Sequence, residues 1–197
     1  MGIACVPMRL TPNQQAPEFS AESVRGEHVS LEELRGGAVL LKFYRFAGCP
    51  ICNLHLRELV RRHTELEAAG ITAVVFFHSP SERVEREAGS ELPFELVPDP
   101  EKRIFGAYGV EESLRGMFSA HVARDYRRAL AAGYRSRPLG HHGGIAGHPA
   151  DFILDRDGLI RHAHYGANYA DTLGVDDILR IAGGTGVLTP LDQSARR

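Results

Sequence analysis

Two cysteines separated by two residues, Cys49 and Cys52, are the side chains of this sequence best suited to chemistry. A thiolate attacks disulfides and peroxides, and it is favoured at a helix N-terminus, where backbone N–H groups are unpaired. Pro50 suits the first position of a helix, because its missing N–H costs nothing there. Cys52 then lies one helical turn from Cys49, within reach of a disulfide. The spacing predicts that Cys49 is an exposed attacking thiol and Cys52 a more buried resolving thiol.

The segments around this CxxC motif (residues 49–52) predict a buried strand followed by an amphipathic helix. Residues 38–46, AVLLKFYRF, form a nearly continuous apolar run of strand length. Apolar residues recur at helical spacing from Cys52 to Ala69, and Gly70 ends that pattern. A second buried strand is predicted at 71–78. We therefore expect the cysteines at a strand-to-helix turn of a βαβ unit, which favours a redox motif over two incidental cysteines.

Later segments complete an α/β pattern. Residues 113–135 predict a helix, and two strands of a hairpin are predicted at 152–154 and 159–165. A last helix is predicted at 175–182. This order matches the thioredoxin arrangement, a central mixed sheet flanked by helices, with residues 113–147 as a helical insertion before the C-terminal hairpin.

Length, charge and cysteine usage exclude several classes of protein. The chain has 197 residues, 43% of them hydrophobic, which is ample for one core. Its 25 acidic and 23 basic residues nearly balance, which argues against a dedicated nucleic-acid binder. No apolar run approaches the ~18 residues that span a bilayer, so we expect no membrane association. Three cysteines and the absence of a secretory signal pattern predict a reducing, cytoplasmic compartment.

A second motif lies where a loop enters the first hairpin strand. Residues 147–158 follow the pattern Gly-x-Pro-x-x-Phe-x-x-Asp-x-x-Gly, which resembles the segment of thioredoxin-like proteins that carries a cis-proline. In that family this loop faces the CxxC motif and pairs with the substrate. The resemblance implies a cis bond before Pro149 and a substrate-binding role for Pro149; a trans proline that opens an edge strand is the alternative. It also places His148 beside Cys49, where an imidazole can donate to the thiolate or take its proton.

Several short motifs carry a wider resemblance over residues 16–182. They are Ala16-Pro17-Glu18-Phe19, Leu31-x-x-Leu34-Arg35-Gly36, Phe43-Tyr44-Arg45, Cys49-Pro50-x-Cys52-Asn53-Leu54, Arg57-Glu58-Leu59, Asp99-Pro100-Glu101 and Tyr108-Gly109-Val110. Together they resemble the peroxiredoxin (AhpC/TSA) family, and most of all its CxxC-bearing, peroxiredoxin-like branch. The resemblance implies a thioredoxin-like fold and a thiol–disulfide oxidoreductase with an antioxidant role.

The same resemblance shapes the expected partners and segments. It implies no bound organic cofactor, an external dithiol reductant that is thioredoxin-like or glutathione, and a disulfide or peroxide substrate. A homodimer is compatible with it, although the sequence does not determine the oligomeric state. We predict a flexible N-terminal arm (1–15), one thioredoxin-like domain of AhpC/TSA type (16–183) and a C-terminal tail (184–197).

One departure from the family bears on peroxide chemistry. Peroxiredoxins carry P-x-x-x-(T/S)-x-x-C, whereas the corresponding positions before Cys49 hold Lys42 and Phe46. The arginine that helps to bind peroxide in the family aligns with Pro149. Arg45 is a substitute by position, but we favour an arginine whose stem packs at the strand end. The sequence therefore favours disulfide exchange, with a genuine two-cysteine peroxidase as the alternative.

Two non-catalytic interpretations stay open. The first is a zinc module that uses Cys49, Cys52, His55 and His63, although C-x2-C-x2-H-x7-H differs from the usual spacing of zinc ligands. The second is a redox-switched module whose insertion, residues 113–147, binds a partner. We predict no metal ligands in the Gly- and His-rich loop 137–148, which is typical of a solvated segment.

Overall fold

The computed structural model describes residues 8–110, 119–135, 147–185 and 187. In chain order the elements are β1 (Ser20–Glu22), β2 (His28–Ser30), α1 (Leu31–Leu34), β3 (Ala38–Tyr44), α2 (Pro50–Arg61), α3 (His63–Ala68), β4 (Ile71–Phe77), α4 (Ser81–Ala88), β5 (Glu95–Pro98), α5 (Arg103–Ala107), α6 (Ala120–Ala131), β6 (Ala150–Leu154), β7 (Ile160–Tyr165) and α7 (Val175–Gly184).

The central sheet is mixed, as predicted. Its strands lie in the order β5-β4-β3-β6-β7, with β3, β4 and β5 parallel, β6 antiparallel to β3, and β7 antiparallel to β6. β1 and β2 form a separate antiparallel pair. All seven residues of β3 are buried, because the strand is central and covered on both faces. The α/β, thioredoxin-like fold class is confirmed, and the motif follows the middle strand.

Each face of the sheet has its own apolar cluster. Leu40 and Tyr44 of β3 point to the face that α2 covers, where Cys49 and Cys52 also lie. Phe43 points to the opposite face, because side chains alternate along a strand. There its ring stacks on Phe76 with centroids 4.7 Å apart.

A buried ion pair interrupts the apolar surface beneath α2. Lys42 of β3 is paired in register with Asp151 of β6, and the Lys42 ammonium donates to the Asp151 carboxylate. The same carboxylate accepts from the Thr172 hydroxyl and, at 2.8 Å, from the Leu173 N–H. Complete hydrogen bonding is what permits a charge in this position. The network joins the two central strands to the loop that leads into α7.

The two elements beside the motif have boundaries that differ from the sequence prediction. The helix expected over 52–69 is divided into α2 and α3 at Arg62, whose backbone leaves helical geometry at φ −109 and ψ 12. The Arg62 N–H still donates to the Glu58 carbonyl, so the chain bends there without stopping. The strand expected over 38–46 ends at Tyr44, and residues 45–48 form the turn into α2.

The predicted segment boundaries at 15 and 183 stay predictions, and the described part of the N-terminal arm lies against β7. The Asn13 N–H donates to the Ile160 carbonyl, and the Ile160 N–H donates to Gln14. Of the predicted insertion 113–147, the structure describes α6, which packs on α2. Cys5, His141 and His142 lie outside the described residues. In the ranges that the structure covers, no helix is both long and apolar enough to cross a membrane.

Candidate active site

Cys49 occupies the N-cap position of α2, and Pro50 takes the first helical turn, as the motif predicted. Backbone contacts hold the preceding turn in shape. The Cys49 N–H donates to the Phe46 carbonyl at 3.0 Å, and the Ala47 N–H donates to the Ser79 hydroxyl at 3.1 Å. Ser79 follows β4, so the neighbouring parallel strand positions the turn that carries the cysteine.

Asn53 of α2 stabilises the same turn, residues 45–48, by hydrogen bonds from its side chain. Its side-chain amide donates to the carbonyls of Ala47 at 2.6 Å and Cys49 at 3.1 Å. The residue is buried, and its own N–H also donates to the Cys49 carbonyl. The sequence analysis did not assign this role to Asn53. An amide side chain directly after CxxC, in the first turn of the predicted helix, is the signal that could have indicated it.

Cys49 and Cys52 are free thiols whose environments push their pKa values in opposite directions. A hydrogen bond from the Cys52 thiol, the nearby Arg45 charge and N–H groups of Cys52 and Ile51 outweigh burial, and lower the Cys49 pKa from 9.0 to about 6. Burial and then the hydrogen bond to Cys49 raise the Cys52 pKa well above its ordinary value. These opposite shifts favour a thiolate at Cys49 beside a thiol at Cys52, the states that attack and resolution require.

Arg45 supplies the cation at this thiolate. Its Nη1 lies 3.7 Å from the Cys49 Sγ, and the residue is only 5% exposed. The guanidinium is flanked by the Tyr169 ring, 3.5 Å from its centroid, and by Phe46 at 5.4 Å. The interpretation that Arg45 merely packs its stem at the strand end is therefore wrong, because the charged head turns inward to the sulfur.

The prediction of an exposed Cys49 is also wrong for this dithiol form. Cys49 and Cys52 are both 2% exposed, so exposure does not distinguish them. Cys49 lies in the apolar cluster beneath α2 together with Phe46 and Ala47, because the turn folds back onto the sheet. What distinguishes the two thiols is their protonation.

Pro149 and His148 lie at the start of β6, and their geometry corrects one prediction. The His148–Pro149 bond is trans, so the expected cis bond is wrong; the extended approach to β6 accommodates the intrinsically favoured isomer. The Pro149 carbonyl accepts from the Gly166 N–H at 2.9 Å. The His148 Nδ1 donates to the Gly166 carbonyl at 2.8 Å, and its ring meets Tyr169 edge-on. The ring that His148 contacts, Tyr169, also flanks Arg45, and substrate binding by Pro149 and His148 stays a prediction.

Two further buried side chains, an imidazole and a guanidinium, lie near Phe46, and the sequence analysis did not predict them. His78, which follows β4, is 2% exposed with both ring nitrogens unpartnered, and burial lowers its pKa to about 3. Arg83, on α4, has its Cζ 6.0 Å from the Phe46 ring. No local pattern identifies either residue, since their position depends on how α4 and β4 pack.

The zinc interpretation has no ligand set within the described ranges, where no group of three or more potential ligands lies together. His55 Nε2 faces Asp125 of α6 at 3.5 Å, and burial lowers the His55 pKa. The His63 Nδ1 lies 3.4 Å from the Glu67 Oε2, and the His63 ring packs against Phe94. The helix thus directs both histidines to partners other than the cysteines.

Comparisons with known proteins agree with this architecture. Peroxiredoxin Bcp of Escherichia coli K12 is 29% identical over 150 residues, which cover 75% of this chain and 80% of the relative. The crystal structure of peroxidoxin BcpB from Mycobacterium tuberculosis superimposes with a TM-score of 0.65 and 15% identity, over 89% of this chain and 98% of that one. Reduced 2-Cys peroxiredoxin from Plasmodium vivax gives a TM-score of 0.63 and 18% identity, over 93% of this chain and 89% of that one. The model of the AhpC/TSA family matches residues 12–163, most of the chain. The chain therefore belongs to the AhpC/TSA family.

Proposed function

We propose that this protein is a thiol-dependent oxidoreductase in which Cys49 attacks and Cys52 resolves. The observation that carries the proposal is the Cys49 sulfur at the N-terminus of α2, with a pKa of about 6 and a hydrogen bond from the Cys52 thiol. A nucleophile that is ionised at neutral pH beside a protonated partner is what disulfide exchange requires. Family membership and the peroxiredoxin names of the relatives support the same class of reaction.

In the proposed exchange the Cys49 thiolate attacks one sulfur of a substrate disulfide. That disulfide bond breaks, a mixed disulfide forms, and the first substrate thiolate leaves. The Cys52 thiol then releases its proton to solvent and attacks the Cys49 sulfur, which expels the second substrate thiolate. The protein loses two electrons and gains the Cys49–Cys52 disulfide, while the substrate gains two electrons. An external thiol reductant, either one thioredoxin-like dithiol or two molecules of glutathione, regenerates the protein by the reverse exchange and leaves as a disulfide, in a cytoplasmic setting.

We assign the substrate contacts to the loop at Pro149 and His148. The loop continues directly from Gly147, which lies beside the His78 ring, so it borders the same end of the sheet as the cysteines. His148 packs on Tyr169, the aromatic ring that also flanks Arg45. A substrate at this loop therefore contacts Tyr169, the residue that holds the Arg45 cation beside the Cys49 thiolate.

Single cysteine replacements test the proposal. Cys49→Ser is expected to abolish reaction with a disulfide such as oxidised glutathione. Cys52→Ser is expected to accumulate the mixed disulfide on Cys49, which intact-mass and peptide mapping detect. Cys5→Ser is the matched control, since Cys5 lies outside the motif, and it is expected to behave as the wild type. A Cys49→Ser protein that retains wild-type exchange would refute the assignment.

Reduction of hydroperoxides is a second candidate, and Arg45 is the observation that favours it. The sequence analysis assigned no cation to the Cys49 thiolate, whereas in the structure Arg45 Nη1 lies 3.7 Å from the Cys49 Sγ. In this reaction the thiolate attacks one peroxide oxygen, the O–O bond breaks, and the alkoxide or hydroxide leaves with a proton from solvent. Cys52 then attacks the resulting Cys49 sulfenic acid, water leaves, and the disulfide forms.

Stopped-flow kinetics separates the two candidates. Fast oxidation by hydrogen peroxide that Arg45→Met slows strongly is expected for a peroxidase. An oxidation rate no greater than that of free cysteine excludes a peroxidase and leaves disulfide exchange. Arg86→Met, on the exposed side of α4, is the matched control for loss of an arginine.

A further inference from the structure

Arg83 is a buried cation at the active-site turn for which the described residues provide no anion. The residue is 8% exposed, and its Nε is buried without a hydrogen-bond partner. Its guanidinium forms no ion pair with any carboxylate in the described ranges, although α4 carries Glu82, Glu85 and Glu87. A buried charge without a counter-ion is costly, and it is normally paired or used.

The guanidinium lies directly against the residue that precedes the attacking cysteine. A Cβ placed on Gly48 would lie 3.1 Å from Arg83 Nη2, so the absence of a side chain at Gly48 makes room for the charged group. The face of Phe46 supports it from a second side, with the Cζ 6.0 Å from the ring. A ligand held by Arg83 therefore has its other end within reach of Cys49.

The Cys49 thiolate does not account for the Arg83 charge. Arg45 is the arginine that faces this sulfur, with Nη1 at 3.7 Å. Arg83 is left as a second cation, on a different element, whose planar fork suits a carboxylate.

We propose that Arg83 binds the carboxylate of a small disulfide substrate and thereby directs its S–S bond to Cys49. This inference rests on the proposed function, and it adds a substrate class: low-molecular-weight disulfides that carry a carboxylate. The burial of Arg83 favours a small ligand over the surface of a partner protein, because the residue is only 8% exposed. Exchange proceeds as written above, and the carboxylate takes no part in bond breaking.

Two disulfide probes of different charge test the proposal. 5,5′-Dithiobis(2-nitrobenzoate) carries a carboxylate on each ring, and 4,4′-dithiodipyridine is neutral at pH 7. The second-order rate constant of the reduced protein with each probe is followed by the absorbance of the released thiol. Arg83→Met is expected to lower the ratio of the anionic to the neutral rate constant by about tenfold or more, which is the usual effect of a charge-assisted hydrogen bond.

The controls separate this contact from other effects. Arg86→Met removes an exposed arginine from the same helix and is expected to leave the ratio within about twofold of wild type. Arg83→Lys keeps the charge without the fork and is expected to give an intermediate ratio. Should Arg83→Met fail to fold, the wild-type ratio is compared with that of a blocked Cys-Pro-Ile-Cys peptide, and we expect it to be about tenfold higher.

The outcomes distinguish the inference from the proposed function. A ratio that Arg83→Met leaves unchanged, or a wild-type ratio equal to that of the peptide, overturns the carboxylate site while Cys49 remains a reactive thiolate. Reaction of both probes at the rate of an ordinary thiol overturns the proposed function together with the inference. A selective loss with the anionic probe alone supports both.

Discussion

Replacement of Arg45 by Met removes the cation that lies against the Cys49 sulfur and should raise the Cys49 pKa. The Arg45 Nη1 lies 3.7 Å from Sγ, and the pKa of Cys49 is about 6 against an ordinary value of 9.0. An opposite charge at such a distance shifts a pKa by roughly 1–3 units, and the hydrogen bond from Cys52 remains in the variant. Because that hydrogen bond is the largest cause of the lowered pKa, we expect a rise of only about 1–2 units, to a pKa of roughly 7–8. The thiolate fraction at pH 7 then falls from about nine-tenths to between about one-half and one-tenth.

The assay is the ultraviolet absorbance of the thiolate during a pH titration of the reduced protein, supported by alkylation rates of Cys49 mapped by mass spectrometry. Arg45→Lys keeps the charge and should shift the pKa less than Arg45→Met. Arg86→Met, at an exposed position, should leave it unchanged. A pKa for the Arg45→Met protein within about 0.3 units of wild type would refute the electrostatic role of this residue.

Three further predictions concern the same site and its support. Alkylation of Cys49 should fall about tenfold from pH 7 to pH 5, because an acid with a pKa near 6 loses its thiolate below that value; a flat profile would contradict the lowered pKa. Cys52→Ala should raise the Cys49 pKa more than Cys52→Ser, which keeps a donor, and equal shifts would show that the hydrogen bond is unimportant. Lys42→Met should cost about 3–5 kcal/mol in urea unfolding because it leaves the buried Asp151 charge unpaired, whereas Lys42→Met/Asp151→Leu should recover much of that loss. A double variant no more stable than the single one would argue against this explanation.

The position of the cysteines followed from local sequence patterns. The apolar run before the motif, Pro50 after Cys49 and the helical spacing beyond Cys52 each depend on neighbours in sequence. The structure has the N-cap where it was expected, between a strand that ends at Tyr44 and a helix that bends at Arg62. The parallel pairing of β3 with β4 likewise followed from two largely apolar strands with a helical segment between them.

The surroundings of the sulfur atoms could not be predicted in the same way. Arg45 turns inward because Tyr169 offers a ring to its guanidinium, and that ring comes from a loop far along the chain. The burial of Cys49 and the position of Arg83 against Gly48 also depend on how separate elements pack. The trans bond before Pro149 shows the limit of a family pattern, since a motif that resembles the cis-proline loop has a different local geometry here.

The most direct test of the account is a redox titration of the full chain in glutathione buffers, with the state of each cysteine read by alkylation and peptide mapping. We predict a single two-electron transition that links Cys49 to Cys52, at a potential more oxidising than about −270 mV, because the lowered pKa stabilises the reduced form. Oxidation that leaves Cys49 and Cys52 as thiols, or that joins either of them only to Cys5, would contradict the central claim.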